Sequence, residues 1–197
     1  MNTQEIVCFV GVIGSGKDYR KQQLVAKGYA PLDFKDALID MVIDLVGFDI
    51  RPVYEDFKAS VIGTVTPDMG PWRRKTGVIV SRILLFFFPQ LMTGRKVLLR
   101  LGTEVMRKRD KDYWLTMFTI SAGKLLKEGK SIACADCRFP NEVAGVIMLG
   151  HILRVKTRFV FCDYHSFRYN KYVQHESEKL AQELVSKGVS DGQELMF

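Results

Sequence analysis

The sequence predicts an α/β fold in which a parallel sheet is flanked by helices. Strand-like runs alternate with helical runs in residues 5–46 and again in residues 131–156, and this alternation is typical of parallel strands joined by crossover helices. The chain has 197 residues, of which 47% are hydrophobic, so it can bury one substantial core, whereas two independent halves would each be marginal. We therefore expect a single domain that spans residues 1–197.

The first strand–helix–strand unit occupies the N-terminal part of the chain. Glu5–Val10 is a short apolar run that predicts a buried strand, and a glycine-rich turn separates it from an amphipathic helix over Asp18–Lys27. Tyr29–Phe34 predicts a second strand. Lys35–Val46 places its apolar residues at helical spacing, so we expect a second helix that ends at the following glycine.

Residues 48–92 carry a weak pattern with several turn signals, which predicts a mobile or helical insertion. Its longest apolar stretch, Val78–Met92, is interrupted and shorter than the roughly 20 residues that cross a bilayer, so we expect no membrane partner. The cluster Leu84–Phe88 is typical of buried core or of a subunit interface. A homodimer therefore stays an alternative to a monomer.

The next two predicted helices are amphipathic. The first covers Arg95–Arg109, and at about 100° per residue one set of positions forms its inward face: Leu98, Leu101, Gly102 and Val105. The second begins after Asp110 or Asp112, either of which can cap it, and ends at Gly129. Its predicted inward residues are Trp114, Met117, Phe118, Ser121, Ala122 and Leu125.

A second strand–helix–strand unit follows, with a strand over Ser131–Ala135, a helix over Asn141–Leu149 and a strand over His151–Lys156. The segment after it, residues 157–174, is aromatic and basic. It can close over a bound ligand as a lid.

The net charge limits the class of partner, and the cysteines and the N-terminal residues limit the cellular compartment. The formal net charge of +7 predicts an anionic partner or substrate, without choosing among nucleic acid, a membrane surface and free nucleotides. Four scattered cysteines predict reduced thiols rather than a disulfide framework. Since the N-terminal residues carry no secretory signal pattern, we expect a cytoplasmic protein.

The segment GVIGSGK at residues 11–17 matches the pattern G-x-x-x-x-G-K between a predicted strand and a predicted helix. The glycines of such a turn let backbone N–H groups curl around phosphates, and the helix N-terminus adds a positive dipole. Lys17 then reaches the β- and γ-phosphates of ATP. The pattern predicts a P-loop NTPase type of fold and an ATP site formed by Gly11, Gly14, Ser15, Gly16 and Lys17.

Position 18 departs from the usual serine or threonine of a P-loop, whose hydroxyl binds Mg²⁺. Asp18 stands there instead. Its carboxylate can hold Mg²⁺ directly or through water, because this ion takes oxygen ligands and keeps several waters. The alternative is that Asp18 only caps the helix.

A carboxylate, Asp136, ends the strand predicted at residues 131–135, and Arg138 and Glu142 follow it. In a P-loop fold, a carboxylate at the end of a neighbouring strand orients the magnesium shell, and a nearby arginine neutralises charge on the transferred phosphoryl group. Asp136 is therefore a second candidate metal residue and Arg138 a candidate catalytic residue. The alternative is a salt bridge within the loop.

The helix over Arg95–Arg109 carries basic residues on a face separate from its apolar one, and Arg95, Lys96 and Arg100 are candidate ligands of an anionic acceptor. A solvated helix face is the alternative. Arg95 is the leading candidate because it lies in the first turn.

Three stretches together resemble bacteriophage deoxynucleoside monophosphate kinases and their P-loop relatives: GVIGSGKD at 11–18, GRKVLLRLGTEVMRKRDKDYW at 94–114 and ADCRFPNEVAGVIMLGHILRV at 135–155. Aspartate after the P-loop lysine also recurs in that group and in animal phosphomevalonate kinases, which makes Asp18 look like a family feature. If the chain is encoded by a phage, its compartment is the host cytoplasm.

The resemblance implies ATP-dependent phosphorylation of deoxynucleoside monophosphates, with Ser15, Lys17 and Asp18 handling ATP and Mg²⁺. It implies that Arg95 and Trp114 help to form the monophosphate site. It also implies a D-x-R-x-x-x-E motif beside the transferred phosphate, formed by Asp136, Arg138 and Glu142.

The sequence departs from the family in three places. Tyr19 replaces a common threonine, Arg100 stands where glutamine is usual, and we expect no counterpart of the family's late strand after the last predicted helix. These departures leave base specificity open. The segment His175–Glu178 looks like a further family element without an assigned role.

Several other functions stay open. Asp33, at the end of the second predicted strand, could act as a base on a hydroxyl acceptor, which keeps a kinase of the dephospho-coenzyme A type in view. Phosphomevalonate is another phosphorylated acceptor. A P-loop nucleic-acid-binding ATPase could use the basic helix on a polynucleotide, although the chain is small and has no separate aromatic and basic module, which disfavours nucleic acid as a partner. A non-enzymatic nucleotide-binding protein would need neither Asp136 nor Arg138.

Overall fold

A computed structural model describes residues 4–11, 14–62, 64, 68–70, 72–73 and 92–162, together with the backbone of 194–196. The chain forms two compact units, the first made of residues 1–35 and 114–197 and the second of residues 36–113. The insertion predicted at residues 48–92 falls within the residue range of the second unit.

The first unit contains a five-stranded sheet in the order β2-β3-β1-β4-β5. Its first four strands are parallel, and β5 runs antiparallel to β4. The expectation that no strand follows the last predicted helix was wrong, because β5 lies at residues 194–196. The strands are β1 (Glu5–Val10), β2 (Ala30–Pro31), β3 (Ile132–Cys134), β4 (Lys156–Phe161) and β5 (Glu194–Met196). The prediction of an α/β fold with a parallel sheet flanked by helices is confirmed.

The helices are α1 (Lys17–Val25), α2 (Asp36–Val46), α3 (Tyr54–Ala59), α4 (Gly94–Leu99), α5 (Tyr113–Lys127) and α6 (Pro140–Leu153). A 3₁₀ turn, Arg51–Val53, precedes α3, and α4 continues as a π-helical segment, Arg100–Arg107.

Side chains on the two faces of β1 pack against different helices, because successive residues of a strand point to opposite faces. Ile6, Cys8 and Val10 share a core with residues of α5 and α6, including Phe118 and Val146. On the other face, Val7 and Phe9 pack against Leu24 of α1. The strand is buried on both faces, which explains its continuous apolar run in the sequence.

The second unit has its own core, which joins α2, α3 and α4. Its buried residues are Ile39, Val42, Ile50, Phe57, Val97 and Leu98. The side chain of Thr93 caps α4 by accepting the backbone N–H of Lys96 at 3.2 Å.

One predicted helix face and one predicted boundary were wrong. Val105 is exposed rather than inward, because the π-helical segment bonds i→i+5 and takes more residues per turn than the α-helix assumed. The strand predicted over His151–Lys156 begins only at Lys156, because α6 continues to Leu153. The helix predicted over Asn141–Leu149 therefore ends later than expected, and Gly150 lies buried inside it against Thr157.

Part of the segment predicted as a lid, residues 157–174, has a different role. Residues 157–161 belong to β4, and residues 163–174 lie outside the described part of the chain. Leu84–Phe88 and His175–Glu178 also lie outside it. All four cysteines are buried thiols. Among the described residues, no helix is both long enough and apolar enough to span a bilayer.

Candidate functional site

The helices that follow β1 and β3, two adjacent strands of the first unit, pack on opposite faces of the sheet. The helix after β1, α1, packs through Leu24 on the face of Val7 and Phe9. The helix after β3, α6, packs through Val146 and Leu149 on the other face. Such a switch point opens a crevice at the carboxyl ends of the two strands, and ligands of open α/β sheets bind in such crevices. The carboxyl ends of β1 and β3 therefore locate the candidate site.

The turn after β1 needs glycine for two different reasons. Gly14 and Gly16 both have a φ of 82°, in the left-handed region that costs other residues about 1–2 kcal/mol. A Cβ on Gly16 would meet nothing within 4 Å, so backbone conformation rather than space requires glycine there. A Cβ on Gly11 would lie 2.2 Å from the carbonyl oxygen of Cys162, so close packing excludes a side chain. Residues 12–13 of the turn lie outside the described part of the chain.

Three of the predicted ATP and magnesium residues lie at the start of α1. Lys17 is only 4% exposed, and its Nζ donates a hydrogen bond to Ser15 Oγ at 3.4 Å. Asp18, the next residue, is exposed in the first turn, where its charge complements the helix dipole. A lysine, a hydroxyl, a carboxylate and a positive helix end are thus adjacent, and phosphate and Mg²⁺ bind to groups of these kinds.

Asp33 and Asp136 join the ends of β2 and β3 by reciprocal hydrogen bonds. Asp136 accepts the backbone N–H groups of Phe34 at 2.8 Å and Lys35 at 2.9 Å, one on each carboxylate oxygen. Asp33 accepts the N–H of Ala135 at 2.8 Å. Both carboxylates are buried. We call this arrangement the strand-end clamp, and it ties the loop after β2 to the loop after β3, which borders the candidate crevice.

Lys21 and Lys35 offset the negative charge of the strand-end clamp. Neither lysine was predicted as a site residue. Lys21 Nζ lies 2.6 Å and Lys35 Nζ 3.2 Å from Asp33 Oδ2. The spacing of Lys21, one helical turn after Lys17 on the same helix, was the signal available for it. Lys35 directly follows the strand predicted at residues 29–34, and its partners became visible only in the fold.

The charged groups of the strand-end clamp and of its two lysines shift one another's pKa values. Burial would raise the pKa of Asp33, but Lys35 and Lys21 outweigh burial and lower that pKa. Burial and the charge of Asp33 raise the pKa of Asp136 to about 7, although Lys35 opposes the shift. Burial disfavours the charged form of Lys35, but Asp136, Asp33 and, to a lesser extent, Asp18 outweigh it and raise its pKa. Asp33 and Lys35 therefore remain a charged pair near neutral pH.

The Glu142 carboxylate stabilises the loop that carries Arg138. Its Oε2 accepts the backbone N–H of Arg138 at 2.8 Å and that of Phe139 at 3.1 Å, and the residue is 2% exposed. These bonds cap the N-terminus of α6. The resemblance had placed Glu142 beside the substrate phosphate, whereas the structure shows its carboxylate bound to the backbone of the preceding loop. Arg138 is half-buried in that loop.

The predicted metal residues differ in their surroundings. Asp18 has an exposed carboxylate, which fits an ion that keeps several water ligands. Asp136 Oδ1 accepts the backbone N–H of Phe34 and the thiol of Cys134. Its Oδ2 accepts the N–H of Lys35 and, since a carboxylate has about four acceptor sites, can accept a second bond. Ligand atoms of Asp33, Cys134 and Asp136 lie within 4.8 Å of one another, but Cys134 is a buried thiol whose pKa burial raises.

The residues predicted to bind the phosphoryl acceptor are divided between the two units. Trp114 is buried in α5, as its predicted inward position requires. Arg95, Lys96 and Arg100 belong to the second unit, where all three are exposed on α4 and at the start of the π-helical segment. Their role in binding an acceptor stays a prediction.

The structure thus brings together, in the first unit, the glycine-rich turn, Lys17, Asp33 and Asp136. Comparison with known proteins adds no assignment to this geometry. No family model matches the chain, and the search of curated proteins gives no significant match.

Proposed function

We propose that this chain is a P-loop phosphotransferase that moves the γ-phosphoryl group of ATP onto the phosphate of a deoxynucleoside monophosphate. The observation that carries the proposal is the turn after β1. Two left-handed glycines, Gly14 and Gly16, lead into the buried Lys17 at the N-terminus of α1, at the carboxyl edge of a parallel sheet. A phosphate at this turn would meet backbone N–H groups, the positive end of α1 and an ammonium group.

In the proposed reaction, an oxygen of the acceptor phosphate attacks the γ-phosphorus in line with the leaving oxygen of ADP. The new P–O bond forms as the bond to the β-phosphate oxygen breaks, so ATP and a monophosphate give ADP and a diphosphate. Ser15 and Lys17 hold the β- and γ-phosphates. Arg138, held in its loop by Glu142, offsets the charge that develops on the transferred group.

The exposed carboxylate of Asp18 fits Mg²⁺, and Asp136 Oδ2 has an acceptor site left for a water molecule of its shell. When bound, Mg²⁺ supplies neutralisation of phosphate charge.

The state of Asp33 favours an acceptor that is already an anion. A hydroxyl acceptor needs a general base with a pKa near the working pH. Asp33 has a lowered pKa, is paired with Lys21 and Lys35, and already accepts the Ala135 N–H, so it is a poor base. This disfavours the dephospho-coenzyme A type of reaction. It leaves phosphomevalonate as an alternative, because that acceptor also carries a phosphate.

The test is a coupled assay of ADP release with ATP, Mg²⁺ and one acceptor at a time. The acceptors are the common deoxynucleoside and nucleoside monophosphates, phosphomevalonate, dephospho-coenzyme A and single-stranded DNA. We expect turnover with at least one deoxynucleoside monophosphate, and turnover only with DNA would favour the nucleic-acid-binding ATPase instead.

Lys17→Ala should abolish turnover, since it removes a phosphate ligand. Lys27→Ala, an exposed lysine near the other end of α1, is the matched control and should keep it.

A further inference from the structure

A cavity of about 440 Å³ lies beside the start of α1 and extends beyond the proposed phosphate contacts. Gly14, Ser15 and Gly16 form one side of it. The other side consists of three residues of α1: Tyr19, Arg20 and Gln23. The cavity is therefore continuous with the turn that would hold the phosphates, and its volume lies in the range of small-molecule sites.

Tyr19 presents a large apolar surface to this cavity. It is 67% exposed, although it lies only two residues after the buried Lys17. A single exposed aromatic residue is ordinary on a protein surface. An exposed ring that lines a cavity beside a phosphate-binding turn is a different case, because every nucleobase has a π-face that can stack on it.

The other two side chains of the cavity suit the same ligand. Arg20 brings a planar guanidinium group that can lie over an aromatic ring, and Gln23 brings an amide with both donors and an acceptor for the edge of a base. Arg20 and Gln23 lie one and four residues after Tyr19, so one side of α1 carries all three groups.

We infer, on the basis of the proposed function, that this cavity binds the nucleoside of the phosphoryl donor and that Tyr19 stacks on its base. The phosphates would occupy the turn over residues 14–17, and the sugar and base would extend along α1 toward Gln23. Tyr19 then determines how much of the affinity for ATP comes from the nucleoside rather than from the phosphates.

Two probes separate these contributions: MgATP and the magnesium complex of inorganic triphosphate, which has the phosphates without the nucleoside. We would measure both dissociation constants by calorimetry for the full chain and for Tyr19→Ala, Tyr19→Phe and Gln22→Ala. Gln22 is exposed on the same helix but does not line the cavity, so its variant is the matched control.

Tyr19→Ala should weaken ATP binding about tenfold, because stacking on one base is worth on the order of a tenfold to hundredfold change in affinity. It should leave triphosphate binding unchanged. Tyr19→Phe keeps the ring and should bind ATP like the parent chain, as should Gln22→Ala. Because the Tyr19 side chain is largely exposed, none of these variants removes core packing.

Three results would overturn the inference. Equal weakening of ATP and triphosphate would place Tyr19 at the phosphates, and unchanged ATP binding in Tyr19→Ala would remove it from the site. In both cases, loss of triphosphate binding in Lys17→Ala would still support the proposed function. If neither probe binds the parent chain, the proposed function and the inference fail together.

Discussion

At the scale of single residues, Glu142 illustrates how a buried carboxylate can hold a neighbouring loop in place. Its Oε2 binds two consecutive backbone N–H groups, those of Arg138 and Phe139. The acidic position of the D-x-R-x-x-x-E pattern thus stabilises the loop that carries the arginine. In the proposed reaction, Glu142 would position the loop, and Arg138 would act on the transferred phosphate.

Glu142→Ala should destabilise the fold by about 1–3 kcal/mol, because two backbone donors lose their acceptor at a buried position. It should also lower kcat more than it raises KM for ATP, because the Arg138 loop loses its support. Glu142→Gln keeps an acceptor oxygen and should recover most of both losses. Urea unfolding and steady-state kinetics of the two variants check this. Equal loss of activity in both variants would instead give the negative charge a direct role.

A second residue-scale prediction concerns Tyr29, far from the proposed chemistry. Its hydroxyl donates to Glu5, which also pairs with Arg158 at 3.2 Å. The hydrogen bond to Glu5, with partial burial, raises the pKa of Tyr29. Since the folded-state pKa is raised, this contribution to stability is complete below the unfolded value of about 10 and is lost as pH rises through the folded-state pKa.

Tyr29→Phe should therefore reduce the free energy of unfolding by about 1 kcal/mol at neutral pH, and the difference from the parent chain should shrink above about pH 10. Chemical denaturation between pH 7 and pH 11 measures the difference directly. Tyr19→Phe is the control, because Tyr19 is largely exposed and its variant should match the parent at every pH. A Tyr29→Phe difference that stays constant to pH 11 would contradict the assignment.

At the scale of elements, local patterns predicted those features of the fold that depend on neighbouring residues. β1 runs from Glu5 to Val10, as its apolar run predicted. The strand-end clamp could not be predicted, because Asp33 and Ala135 are 102 residues apart and their hydrogen bond requires β2 and β3 to be paired. The exposure of Val105 also required the structure, since a sequence pattern does not distinguish π-helical from α-helical turns.

The strand-end clamp gives an element-scale prediction. Asp33→Asn keeps an acceptor for the Ala135 N–H but removes the charge that faces Lys21 and Lys35. It should reduce the free energy of unfolding by about 1–3 kcal/mol, as expected when a hydrogen bond to a buried charged group is lost. Asp40→Asn breaks an exposed pair with Arg51 and should cost less than about 1 kcal/mol. Urea unfolding of the two variants provides the comparison.

Turnover of Asp33→Asn also discriminates between acceptor classes. Loss of a general base typically lowers the rate by about a hundredfold to ten-thousandfold. A phosphate acceptor needs no base, so the variant should retain turnover within about tenfold of the parent chain. A loss of a thousandfold or more in a variant that remains folded would restore the hydroxyl-acceptor alternative.

At the scale of the whole molecule, the proposed functions are divided between the two units. The glycine-rich turn and Asp136 belong to the first unit, and Arg95, Lys96 and Arg100 belong to the second. Each unit has a separate hydrophobic core. If the second unit binds the acceptor, variants in the two units should affect different kinetic parameters.

Arg95→Ala should chiefly raise the acceptor KM and leave the KM for ATP unchanged, whereas Arg138→Ala should lower kcat with a modest change in the acceptor KM. Removing such a charged contact costs about tenfold to a thousandfold, well above surface effects. Lys108→Ala, exposed after the π-helical segment, is the control for general loss of positive charge.

Hydrogen exchange gives a readout independent of turnover: MgATP should protect residues 14–25, and the monophosphate alone should protect residues 94–107. If Arg95→Ala raises KM for ATP but not for the acceptor, or if the monophosphate protects only the first unit, the acceptor does not bind to the basic residues of the second unit.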